Sequence, residues 1–107
     1  MAEKKEFKSL ELIAKKLVDK KTWKKIKKVK EKEEKLQVLK YSIGFNLEIK
    51  LDEIEQKIKK LEKERDMFIP KTKLSLLKSK IKLFEATFHK KDFNTIELLL
   101  NEIKKEI

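Results

Sequence analysis

The sequence predicts an all-α fold: a long central helix with a short N-terminal helix and a C-terminal helical hairpin, joined as a coiled-coil-like bundle. Three observations predict it. Glycine and proline occur once each, at Gly44 and Pro70, so little in the chain interrupts a helix. Apolar residues recur by threes and fours along most of the 107 residues, the spacing of one helix face. Charged residues make up 46% against 39% hydrophobic, which supplies narrow apolar stripes and leaves little for a thick core.

The first stripe is Phe7, Leu10, Ile13, Ala14 and Leu17, with Ser9 as a candidate cap. Carried past Val18 it would bury Lys20, Lys21 and Lys24, so a break is expected at Asp19 to Thr22, with Asp19 or Thr22 capping the next helix. The pattern resumes at Trp23, Ile26 and Val29. It then runs through Leu36, Leu39, Ile43, Leu47, Leu51, Ile54, Ile58 and Leu61 as an a/d seam. A spine from about Trp23 to about Met67 follows, roughly 65 Å long at the standard helical rise.

A competing structure exists in the middle of that spine. Leu39, Tyr41, Ile43, Phe45, Leu47, Ile49 and Leu51 alternate with polar residues or glycine, so a short β-hairpin near residues 38–51 is the alternative. Helix is preferred, because a lone hairpin is marginal and no Asn-Gly or Asp-Gly turn is present. As helix, the segment puts Val38, Tyr41, Phe45 and Ile49 on a second apolar face opposite the seam, a candidate protein interface.

Pro70 suits the first turn of a helix and restricts the residue before it, so a corner is expected at Phe68 to Lys71. Leu74, Leu77, Ile81, Phe84 and Phe88 then form a second seam able to lie antiparallel on Ile54 to Leu61. Asn94 or Thr95 is the expected cap of a last helix with Ile96, Leu99, Leu100, Ile103 and Ile107 inward. No repeat and no flexible linker divides the chain. One helical domain over residues 1–107 is expected: a basic segment 1–35, the spine to 67 and the hairpin 70–107.

The stretch Lys57 to Phe68, KIKKLEKERDMF, followed by a helical hairpin, loosely resembles the core of archaeal and eukaryotic membrane-remodelling filament proteins. It covers a minority of the chain with residues that any coiled coil carries, and it assigns no family.

Charge gives the functional direction. With 30 Lys+Arg against 19 Asp+Glu the net charge is +11, which attracts polyanions, although a lysine-rich composition also arises in heat-adapted proteins. Only Arg65 is arginine, so the bidentate fork that reads base edges is nearly absent and any nucleic-acid binding should be sequence-tolerant. The excess is concentrated. Lys15, Lys16, Lys20, Lys21, Lys24, Lys25, Lys27, Lys28 and Lys30 face a single acid, Asp19, within sixteen residues. Lysine doublets separated by apolar residues can follow a phosphate backbone while Trp23 stacks on a base or tucks inward. Those nine lysines and Trp23 are the candidate nucleic-acid-binding residues. An anionic membrane surface is a less favoured partner for the same segment, and a solvated charged face is the bland reading.

The chemistry of catalysis has little material. No cysteine is present, and the single histidine, His89, reads as a surface residue at a helix C-terminus. Asp52, Glu53, Glu55 and Glu62 are interleaved with Lys57, Lys59, Lys60 and Lys63, which reads as exposed ion pairs along one helix. A phosphate-cradling loop needs several glycines. A non-enzymatic protein is expected, with no cofactor, no metal and no small-molecule substrate. A cytoplasmic address is expected from the missing cysteines, and neither a signal sequence nor a membrane span is read in the chain. The leading function is binding of nucleic acid with little sequence preference, as an accessory subunit. The alternative is a coiled-coil adaptor that binds a protein partner or a second copy of itself through Tyr41, Phe45 and Ile49.

Overall fold

The computed structural model describes residues 2–107, with side chains from residue 7 onward, as five α-helices. They are α1 (Ala2–Leu17), α2 (Lys20–Lys27), α3 (Lys32–Leu61), α4 (Phe68–Thr87) and α5 (Lys90–Glu106). No strand occurs among the described residues. Residues 38–51 lie inside α3, so the hairpin alternative is not adopted: the 3–4 spacing of Leu39, Ile43, Leu47 and Leu51 buries all four, whereas alternation would have placed Tyr41 beside them.

The chain groups into two compact units, Met1–Leu47 and Glu48–Ile107, with α3 contributing to both. In the first, the buried residues are Leu10, Ile13 and Ala14 of α1, Ile26 of α2, and Leu39, Ile43 and Leu47 of α3. Lys35 links α3 to α1, its ammonium 4.0 Å from Glu11 and 5.6 Å from the centre of the Phe7 ring. Ser9 lies inside α1 and caps nothing, because the helix begins at Ala2.

In the second unit the latter part of α3 meets α4 and α5. Leu51, Ile54 and Ile58 are buried together with Leu74, Leu77, Ile81 and Phe84 of α4 and Phe93, Ile96, Leu99, Leu100 and Ile103 of α5. Burying a side chain of this size stabilises by about 1.5–3 kcal/mol, so these stripes are the main support of the unit. The expected antiparallel seam is present. Glu55 and Glu62 of α3 pair with Lys78 and Lys71 of α4, and Glu48 meets Glu85, so each step of seven forward on α3 is a step of seven backward on α4. Glu55 and Glu62 thus reach across to a neighbouring helix, where the sequence reading paired them along α3. The α4–α5 hairpin is tied by Lys73 Nζ at 3.0 Å from Glu106 Oε1 and 3.7 Å from Glu102 Oε2. Phe84 packs against Phe88 and Phe93, ring centres 5.1 and 5.7 Å apart.

The spine is shorter than expected at both ends, and charge marks the first boundary more clearly than the second. Helix N-termini favour carboxylates and C-termini favour cations. At the first boundary Lys24, Lys25 and Lys27 close α2, while Glu33 and Glu34 open α3. At the second, Lys59 and Lys60 close α3, Glu62, Lys63, Glu64, Arg65 and Asp66 alternate in sign, and α4 has no acid in its first turn. Asp66 Oδ1 accepts the Phe68 backbone N–H at 3.0 Å, so the corner is made over residues 62–67. Pro70 is then the third residue of α4, where a missing N–H costs nothing.

The last corner also differs. Phe88 turns the chain with φ 52° and ψ 29°, left-handed geometry that costs a bulky residue energy, and its N–H is bonded to Phe84 O. His89 follows as the N-cap residue of α5, which begins at Lys90, so neither Asn94 nor Thr95 caps it. The helix starts early because Phe93 belongs to its buried stripe. Thr87 Oγ1 donates to Asp92 Oδ2 at 2.8 Å across the turn.

Candidate nucleic-acid interface

The site is built on the α1–α2 corner of the first unit. Asp19 sits in extended geometry (φ −75°, ψ 167°) and its Oδ1 accepts the Thr22 backbone N–H at 3.0 Å. Bonding to Thr22 holds the Asp19 carboxyl below its usual range, so the cap remains ionised amid the surrounding lysines. The one acid of the segment therefore starts α2.

From that start the sequence KKTWKKIK separates its side chains by type. Ile26 is fully buried and Thr22 and Trp23 are half-buried, while Lys20, Lys21, Lys24, Lys25 and Lys27 are exposed over roughly half of the helix circumference. Lys28 and Lys30 continue the exposed row past the helix, and Lys15 and Lys16 precede it at the end of α1. All nine lysines singled out in the sequence are exposed. Charges that share an arc this narrow repel one another, which costs folding energy and creates a positive field.

Trp23 stands at the border of this arc. Its Nε1 is buried and has no hydrogen-bond partner among the described residues, and the Lys27 ammonium lies 5.8 Å from the ring centre. Beside it opens a cleft of about 340 Å³ lined by Lys8, Glu11, Leu12 and Lys15 of α1 with Trp23 and Lys27 of α2. That volume is within the roughly 300–1,000 Å³ of small-ligand sites. Its apolar floor is Trp23 and Leu12, and three ammonium groups stand around it. Leu12 is 57% exposed, on the side of α1 away from the buried stripe.

Lys8 and Leu12 were missed in the sequence. The signal was there: Lys8, Leu12 and Lys15 are spaced by four and three, a row on one helix side with a lone leucine between two cations.

The candidate protein interface lies elsewhere, on α3. Tyr41 is 73% exposed and Phe45 54%, their rings stacked with centres 6.0 Å apart and planes 14° apart. Ile49, one turn further, is also exposed, whereas Val38 is half-buried. No cluster of three or more metal-ligating side chains occurs among the described residues. No helix among them is long and apolar enough to cross a membrane.

No protein family, curated protein or solved structure matches this chain.

Proposed function

We propose that the chain binds nucleic acid with little sequence preference through the cationic arc of α1 and α2. The observation that carries this reading is the exposed lysine arc bordered by Trp23 and the Leu12 cleft. Lysine ammoniums displace condensed counterions from a phosphate backbone, and an indole beside them offers a surface for an unpaired base. A face with lysines and no arginine fork contacts phosphate without reading base edges, which makes it tolerant of sequence. The role proposed is accessory and non-enzymatic.

The test is a titration of labelled single-stranded DNA, duplex DNA and RNA at about 50 and 200 mM salt, with ligand anisotropy as the readout. Saturable binding that weakens steeply at the higher salt supports the reading. An absence of binding at the lower salt overturns it.

A second reading is favoured by one separate observation, the exposed and stacked Tyr41 and Phe45 with Ile49 one turn on. In that reading the chain is an assembly protein that docks a second copy or another subunit on the α3 face. Its mark is a rise of sedimentation mass with concentration that Tyr41→Ser with Phe45→Ser abolishes.

A further inference from the structure

Helix α4 carries a second apolar stripe that neither its own core nor the interfaces above use. Its inner side is committed, since Leu74, Leu77, Ile81 and Phe84 are buried in the second unit. On another side, Ile69, Leu76 and Leu83 recur every seven residues and are 58%, 48% and 45% exposed. Thr72, Ser79 and Ala86 fall three residues after each of them and are exposed as well. The six make an unbroken 3–4 repeat that alternates a large apolar residue with a small one, and Phe68, also exposed, closes its N-terminal end. A helix that packs on one side only needs one such stripe. A complete second one, with a large side chain at every a position and a small one at every d position, has the form of a helix-docking seam.

The residues beside the stripe say what kind of helix fits. The positions flanking it are Lys73, Lys80 and Thr87 on one edge and Ser75 and Lys82 on the other. Lys73 is engaged by Glu102 and Glu106, while Lys80 and Lys82 stand at the edges, and no carboxylate occupies a flanking position. Two copies placed antiparallel would set Lys80 against lysine, and two placed parallel would set Ser75 against Lys80 and Lys82 against Thr87, so neither arrangement gives the flanking lysines a carboxylate. We propose that this face of α4 docks an α-helix of a partner protein whose apolar seam is flanked by carboxylates. Large apolar side chains of that helix fill the space over Thr72, Ser79 and Ala86, and its acids meet Lys80 and Lys82. The surface lies in the second unit and does not depend on the nucleic-acid reading.

The probe is a synthetic peptide of about three heptads with Leu at a and d and Glu at e and g, which repels itself and stays poorly helical alone. Mixed with the full chain it should gain helicity and bind saturably. Leu76→Lys with Leu83→Lys should weaken binding at least tenfold while thermal unfolding of the chain is kept, because both side chains are exposed. Lys80→Glu with Lys82→Glu should weaken it several-fold by reversing the flanks. Replacement of Lys20, Lys21, Lys24 and Lys25 by Gln should leave it unchanged, which separates this surface from the cationic arc. Any of three results overturns the proposal: no helicity gain, equal binding of a scrambled peptide of the same composition, or unchanged binding after the leucine substitutions. A self-association of the chain that the leucine substitutions abolish would also overturn it, since the occupant would then be a second copy.

Discussion

Glu55 Oε1 lies 3.4 Å from Lys78 Nζ, and this pair is the middle rung of an antiparallel ladder between α3 and α4. One heptad away Glu62 meets Lys71, and one heptad in the other direction Glu48 meets Glu85. Two rungs join opposite charges and the third joins like ones. The odd rung sets the first two expectations.

Burial, with the nearby Glu48 charge and a hydrogen bond to it, raises the pKa of the Glu85 carboxyl. A carboxyl raised on folding stabilises the fold fully below its ordinary value, and that contribution is lost as pH rises through the raised value. At neutral pH the rung is therefore at its least favourable. Glu85→Gln should raise the melting temperature at pH 7, with the advantage disappearing as the pH falls below the ordinary glutamate range. Glu85→Lys completes the ladder and should add about 0.2–1 kcal/mol, the size of an exposed ion pair. Melting followed by circular dichroism at a series of pH values measures both. A Gln variant less stable than the native chain at pH 7 would sink the account.

The middle rung can be tested by exchange. Lys78→Glu sets two carboxylates against each other and should destabilise the second unit, and Glu55→Lys on that background should recover most of the loss. The coupling expected from the double-mutant cycle is about 0.2–1 kcal/mol, because both side chains are partly exposed. Zero coupling in urea denaturation would mean that Glu55 and Lys78 do not meet in solution.

The all-helical fold was legible because its seam repeats by threes and fours through Leu39, Ile43, Leu47, Leu51, Ile54 and Ile58, all buried. The antiparallel return of α4 was legible for the same reason. Helix ends were legible in part: the lysines that the first stripe would have buried past Val18 marked the break where Asp19 caps α2, whereas the spacing from Trp23 to Leu61 did not show where α3 starts and stops. At the start of α3 the change from Lys24, Lys25, Lys27, Lys28 and Lys30 to Glu31, Glu33 and Glu34 held that information as charge, whereas the alternating signs of residues 62–66 gave no such mark at its end. The lysines of the candidate site were visible as a run. The cleft was not, because Lys8 and Leu12 join Trp23 only after Asp19 turns the chain.

Gly44 lies inside α3 and is not among the residues with positive φ. Nothing in its backbone geometry calls for glycine. Gly44→Ala should therefore stabilise α3 by about 0.5–1 kcal/mol, from the lower entropy of the unfolded chain. Urea denaturation with an unchanged slope and a higher midpoint is the expected result. A loss of stability would show that a neighbouring side chain fills the space where the methyl group goes.

The cleft makes the nucleic-acid reading more specific, because bases in a duplex cannot reach an indole that is half-buried. Single strands should quench Trp23 emission on binding, and duplex of the same charge should not. Trp23→Ala should cost about 1–3 kcal/mol of single-strand affinity, the worth of a stacked base, and much less for duplex. Part of any Ala effect would come from loosened packing on α1, so Trp23→Phe is the control. Phenylalanine keeps an aromatic face and removes an N–H that has no partner, so fold and binding should both persist. Replacing Lys20, Lys21, Lys24 and Lys25 by Gln should flatten the salt dependence on single strands by about 0.7 for each phosphate left without its ammonium. If Trp23→Ala binds single strands as tightly as the native chain while the lysine variant does not, the arc alone binds phosphate and the cleft takes no base. If neither substitution changes binding, the cationic arc is not where nucleic acid is held.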